Sequence, residues 1–145
     1  MAFEFALATV LRVRGIIEDR EEGKLQKILF DISKILDDLE YIDTQLAESD
    51  ASRHADVFKD RIGFQVHASY EEVKGLKQRR KDLEGQIQKL EQARDEQLIV
   101  YEAARRDREM LTDMRAKKRT AYDADMSKRE QSTLDDNYIA RRGRS

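Results

Sequence analysis

Seven apolar residues, Leu25, Ile28, Ile32, Ile35, Leu39, Ile42 and Leu46, follow one another at alternating spacings of three and four. This is the a/d repeat of a helix that packs along a seam, and a strand, which buries every second residue, could not use it. Leu29 and Leu36 widen the stripe beyond a and d, as suits a helix with more than one neighbour or a bend. The chain contains no Pro and only six Gly in 145 residues, so almost nothing in it breaks a helix. Charged residues make up 40% of the sequence with mixed sign, the composition of a long helix or coiled coil rather than of a turn-rich sandwich or barrel.

Upstream, Leu7 and Leu11 keep the same frame, but Arg14, Glu18 and Glu21 then fall on core positions. A shifted frame recovers Phe3, Leu7, Val10 and Ile17, which predicts a stutter between residues 12 and 24, loosened by Gly15 and Gly23. Downstream, Ser49 to Asp56 offers no core residue and several caps, so this stretch reads as a turn. A second frame then runs through Ile62, Val66, Val73, Leu76, Leu83, Ile87, Leu90, Tyr101, Ala104 and Leu111. It is interrupted by Ser69, Arg80, Arg94, Gln97 and Arg108, and thins afterwards to Met114, Tyr122, Met126, Leu134 and Tyr138.

These frames predict one elongated all-α domain over 1–145: a helix over 3–49, a turn over 50–56, a longer helix over 57–138 and a disordered basic tail over 139–145. At ~1.5 Å per residue the second helix would be roughly 120 Å long. Two heptad segments joined by a short break fold back into an antiparallel coiled-coil hairpin. With the turn centred near residue 53, Leu25 would lie opposite residue 81 and the N-terminus opposite residue 105, leaving the rest of the second helix as an unpartnered overhang.

The composition removes several kinds of chemistry. Without Cys there is no disulfide framework, thiolate metal site or cysteine nucleophile. His54 and His67 have no carboxylates at ligand spacing, and Gly23-Lys24 lacks the Gly and the Ser or Thr of a P-loop. Adjacent carboxylates such as Asp37-Asp38 and Glu71-Glu72 read as solvated faces. The chain is expected to be non-enzymatic, with no cofactor and no metal. No window approaches a transmembrane span and the start lacks a basic signal-peptide region, so an intracellular, soluble protein is expected.

Net charge is −2, which argues against a dedicated nucleic-acid binder. The charge is unevenly placed: residues 1–99 carry 16 basic and 21 acidic side chains, residues 100–145 carry 12 and 9. The basic clusters Arg105-Arg106, Lys117-Lys118-Arg119 and Arg141-Arg142-Gly143-Arg144 therefore mark the C-terminal third as the place for an acidic partner. Arg79-Arg80-Lys81 reads instead as a salt-bridged helix face. Tyr41 and Tyr70 lie beside the core frame near the expected turn, where a tyrosine serves either as packing or as an interface anchor.

The two ends of the chain resemble the FliJ family of flagellar type III export proteins. One end carries Phe3-Glu4-Phe5-Ala6-Leu7-Ala8-Thr9-Val10-Leu11-Arg12-Val13-Arg14 followed by Glu18. The other carries Leu111, the basic residues Arg115, Lys118 and Arg119, then Tyr122, Arg129-Glu130-Gln131 and Leu134-Asp135-Asp136. The middle matches as generic coiled coil. Gly75, Gly85 and the terminal Arg-Arg-Gly-Arg-Ser fall outside the family pattern.

The resemblance implies a two-helix antiparallel hairpin similar to the gamma subunit of rotary ATP synthases. It implies a central stalk that binds a hexameric FliI-like export ATPase, promotes ring assembly and couples it to the export gate. A FliH-like regulator, an FlhA-like gate protein and export chaperones would be the other partners, and the cytoplasmic base of the flagellum, peripheral to the inner membrane, the place. In this reading Phe3, Phe5, Leu7, Arg105, Arg106, Arg108, Leu111, Met114, Arg115, Lys117, Lys118, Arg119 and Tyr122 face the ATPase ring. Tyr41, Gln45 and Tyr70 form a surface for the gate or chaperones. The equivalent stalk of a virulence injectisome is the alternative. A coiled-coil arm that binds nucleic acid is a further one, to be recognised by steep salt dependence.

Overall fold

A computed structural model describes residues 2–57 and 63–144, with side-chain surroundings for 2–53 and 67–144. Two helices account for nearly all of them: α1 over Ala8–Val57 and α2 over Gly63–Gly143. The second is the longer, and the two pack against each other as a hairpin. The described residues divide into two compact units, one of Met1–Arg20 with Tyr101–Ser145, the other of Glu21–Val100.

In the unit of Glu21–Val100 the expected seam is the core. Leu25, Ile32 and Ile42 of α1 are buried, and Ile28, Ile35, Leu39 and Leu46 are half-buried between them. From α2 come Val73 and Leu83, with Leu76, Ile87 and Leu90 half-buried. Leu83, only 2% exposed, is the most enclosed side chain among the described residues. Leu29 and Leu36, the residues that widen the stripe, remain 39% and 52% exposed. Ile62 and the side chain of Val66 lie outside the described residues. The partners run antiparallel: Glu21 lies against Gln97, Asp43 against Arg80, and Arg53 against Tyr70.

These pairs correct the expected register. Residues 50–56 belong to α1 rather than to a turn. That stretch is rich in caps but holds neither Pro nor Gly. The first glycine after Gly23 is Gly63, where α2 begins. Arg53 takes the core position there and lays its guanidinium 6.0 Å from the centre of the Tyr70 ring. Residue 81, the expected partner of Leu25, instead neighbours Arg80, which pairs with Asp43 at 2.9 Å.

In the other unit α1 starts at Ala8 rather than at residue 3. Residues 2–5 are non-helical, and the Ala8 amide donates to the Phe5 carbonyl at 3.0 Å. This turn carries Phe5 into the core, where it is 7% exposed. Neither frame holds alone over this stretch: Leu11 and Glu18 of the continuing frame are half-buried but Arg14 is exposed, while Phe3, Leu7 and Ile17 of the shifted frame are half-buried but Val10 is 44% exposed. Helix α2 reaches Gly143, so residues 139–143 are helical rather than disordered. No breaker precedes Gly143, and Arg141 and Arg142 in the last turn favour the helix C-terminus.

Candidate functional site

Of the residues assigned to an ATPase ring, Lys118, Arg119 and Tyr122 meet Phe3 and Phe5 at the start of the chain, whereas Arg105 and Arg108 lie further along α2, at Glu109 and Glu18. The rings of Phe3 and Tyr122 meet at 5.5 Å with an angle of 54° between their planes, a tilted arrangement that aromatic pairs favour. The Arg119 guanidinium sits 5.2 Å from the centre of the Phe3 ring, and the Lys118 ammonium 5.7 Å from that of Phe5. These are cation–π distances. Phe3, Glu4, Phe5, Leu11, Arg12 and Arg115 border an open groove. Leu7 and Leu111 are half-buried, and Met114 is 37% exposed. The result is an aromatic surface bordered by Arg12 and Arg115 and by one acid, Glu4.

The basic residues of this end have unequal freedom. Arg108 is held by Glu18, with Nε 2.5 Å from Oε2 and Nη2 3.1 Å from Oε1. That grip lowers the Glu18 pKa and raises that of Arg108, although burial works against both shifts. Arg105 donates to Glu109 at 2.9 Å, which raises its pKa, and Arg119 reaches Asp123 at 3.5 Å. Arg14 pairs with Asp107 at 3.3 Å. Arg106, Arg115 and Lys117 form no ion pair among the described residues. With Arg12 and Lys118, which also make no ion pair among the described residues, they are the cations of this end left to meet a partner.

The overhang is correspondingly shorter than residues 105–145. Arg108 and Tyr122 both have α1-side partners, so the stretch between them is paired. Every residue from Ser127 to Arg144 is exposed.

Sequence reasoning missed a set of polar contacts inside the seam. Glu21 is 7% exposed, and the Gln97 amide nitrogen donates to its Oε2 at 2.6 Å and to its carbonyl oxygen at 3.1 Å. Lys24 reaches the other carboxylate oxygen at 3.3 Å. Separately, in the other unit, Glu18 meets Arg108. The available signal was partial reciprocity: of the polar residues that interrupt the α1 frame, Glu18 and Glu21 meet the α2 interruptions Arg108 and Gln97, whereas Arg14 meets Asp107, off the α2 frame.

The gate or chaperone surface does not assemble as expected. Tyr41 is 65% exposed and Tyr70 55%, while Gln45 is half-buried. Tyr70 lies at the level of Arg53, whereas Tyr41 lies close to Asp43, whose partner is Arg80. The ten residues from Tyr70 to Arg80 are about 15 Å of helix, so the two tyrosines do not share one patch.

Among the described residues no three His, Asp or Glu side chains converge as a metal site needs, and no helix is long and apolar enough to cross a membrane. No known protein family, characterised protein or solved structure matches the chain.

Proposed function

We propose that this chain is a non-enzymatic stalk of a flagellar-type export ATPase, held by the ring through the end that carries Phe3, Phe5, Arg115, Lys117 and Tyr122. One observation carries the reading. The two stretches that resemble the FliJ family, residues 3–18 and 111–136, stand at opposite ends of the sequence. Their aromatic and basic residues pack on one another, Phe3 against Tyr122 and Arg119, Phe5 against Lys118. A motif split in this way has a reason to exist if both halves build one surface.

The surface suits a partner with acidic groups around an apolar contact. The cations raise the encounter rate, and the aromatic floor supplies the short-range attraction. A stalk that shifts with each hydrolysis step needs few contacts of this kind, each weak. Coupling to an FlhA-like gate and escort of export chaperones remain part of the proposal, with Tyr41 and Tyr70 acting as two separate anchors.

The test is the hydrolysis rate of a FliI-like hexamer with and without the chain. Stimulation should fall as ionic strength rises. It should also fall on Arg115→Glu with Lys117→Glu, because these two cations have no internal acid to lose. Unchanged stimulation by that variant, with helicity intact, would remove this end from the coupling.

A further inference from the structure

The last turns of α2 carry a feature that the stalk reading does not use. Leu134, Tyr138, Arg141 and Arg142 follow at i, i+4, i+7 and i+8, which places them on one face of the helix. Helix α2 continues to Gly143, so this face is built. Leu134 is 63% exposed and Tyr138 64%. Gln131 and Ser127, about one and two turns earlier on the same face, are uncharged, whereas Glu130, four residues before Leu134, and Asp135, seven before Arg142, border it with acid. Asp136 lies on the opposite side, and residues 137–145 hold three Arg, with Arg144 beyond the helix, and no acid.

We propose that this face binds the surface of an anionic lipid bilayer. A Leu and a Tyr flanked by arginines match the layered chemistry of such a surface. The leucine reaches the acyl boundary, the tyrosine ring lies among the headgroups with its hydroxyl in water, and the guanidinium groups meet the phosphates. The C-terminal end of the face, with Arg141, Arg142 and Arg144 and no acid over 137–145, selects an anionic surface over a neutral one. The exposed apolar pair selects a bilayer over a nucleic-acid backbone, which would engage the arginines and leave Leu134 without use. The surface is small, and binding by one chain is weak and reversible, as it is for a single lipid anchor. It would become firm only where several chains or a second attachment act together.

The experiment is co-sedimentation of the full chain with vesicles containing phosphatidylglycerol and with vesicles of phosphatidylcholine alone. Binding is expected only to the first, and it should weaken with salt. Arg141→Gln, Arg142→Gln and Arg144→Gln together should lower vesicle affinity by on the order of 100-fold. Leu134→Ser with Tyr138→Ser should lower it at unchanged charge. Neither variant should move the melting temperature, since these side chains are exposed and outside the seam. Equal binding to both vesicle types would overturn the proposal. So would vesicle binding that survives either variant. Tighter binding to duplex DNA that needs the arginines but ignores Leu134 and Tyr138 would overturn it in favour of nucleic acid.

Discussion

Arg108 closes on Glu18 with two parallel hydrogen bonds, Nε to one carboxylate oxygen at 2.5 Å and Nη2 to the other at 3.1 Å. The two residues are 90 positions apart in sequence. Glu18 keeps little exposure, 13% of its side chain, and Arg108 keeps 31%. The fork geometry of a guanidinium against a carboxylate fixes direction as well as distance. The pair therefore sets which turn of α2 meets the start of α1, where Leu and Ile alone would tolerate a slip by one heptad.

The pH dependence follows from the same pair. The Arg108 hydrogen bond, opposed by burial and aided by the charges of Arg108 and Arg105, holds the Glu18 carboxyl below its usual value. A depressed carboxylate contributes stability in full above its unfolded pKa, about 4.3 for Glu, and loses it as pH falls through the lower folded value. The gap in urea midpoint between the native chain and Glu18→Gln should therefore stay constant above about pH 5 and narrow below about pH 4.

The Glu21–Gln97 contact should behave as a specificity device rather than as a source of stability. Glu21→Leu alone removes the carboxylate that Gln97 and Lys24 share, leaves the Gln97 amide only the residue-21 carbonyl, and should destabilise. Glu21→Leu with Gln97→Leu should melt at or above the native temperature, by as much as ~1–4 kcal/mol, as replacements of buried polar groups by packed apolar ones often do. The non-additivity, read from a double-mutant cycle, should be about 0.5–3 kcal/mol.

The seam gives a graded series. Leu83→Ala should cost ~2–5 kcal/mol, the range for a leucine with almost no exposure. Ile35, Leu39 and Ile87 are half-buried, so the same truncation there should cost less. Lys89→Ala, on an exposed position of α2, should stay below about 0.5 kcal/mol. Equal melting temperatures across these variants would mean that the register of the seam differs from the one described.

Gly75 and Gly85 stand inside α2 with nothing within 4 Å of the place a methyl group would occupy. Each therefore carries the entropic cost of glycine in a helix without a packing reason. Gly75→Ala and Gly85→Ala should each raise stability, by about 0.5–1 kcal/mol, and thermal melts should show the two gains adding.

What the sequence disclosed follows the range of the interaction involved. The heptads of Leu25–Leu46 depend on spacing within one helix, and all seven residues are buried or half-buried as the spacing requires. The register depends on which residues meet across the hairpin, and no local pattern contains it. Ser49 to Asp56 looked like a turn because its side chains cap well, yet a cap breaks a helix only where tertiary contacts let it. Glu18 and Glu21 looked like a lapse in the frame because their partners lie 90 and 76 positions away. The candidate site shows the same division. The basic clusters were legible by composition, but the sequence did not disclose that Glu18 occupies Arg108 while no acid occupies Arg115 and Lys117.

The full exposure of residues 127–144 divides α2 by the way its amides meet solvent deuterium. An amide beside Leu83 can exchange only when the seam opens, so its protection measures global unfolding. An amide beyond Ser127 lies in a stretch of helix whose described side chains are all exposed, and it exchanges by fraying from the end. One continuous helix should thus show a step in exchange rate along its length. A ligand that settles on Leu134 and Tyr138 would slow exchange there while leaving the rates at Leu83 unchanged.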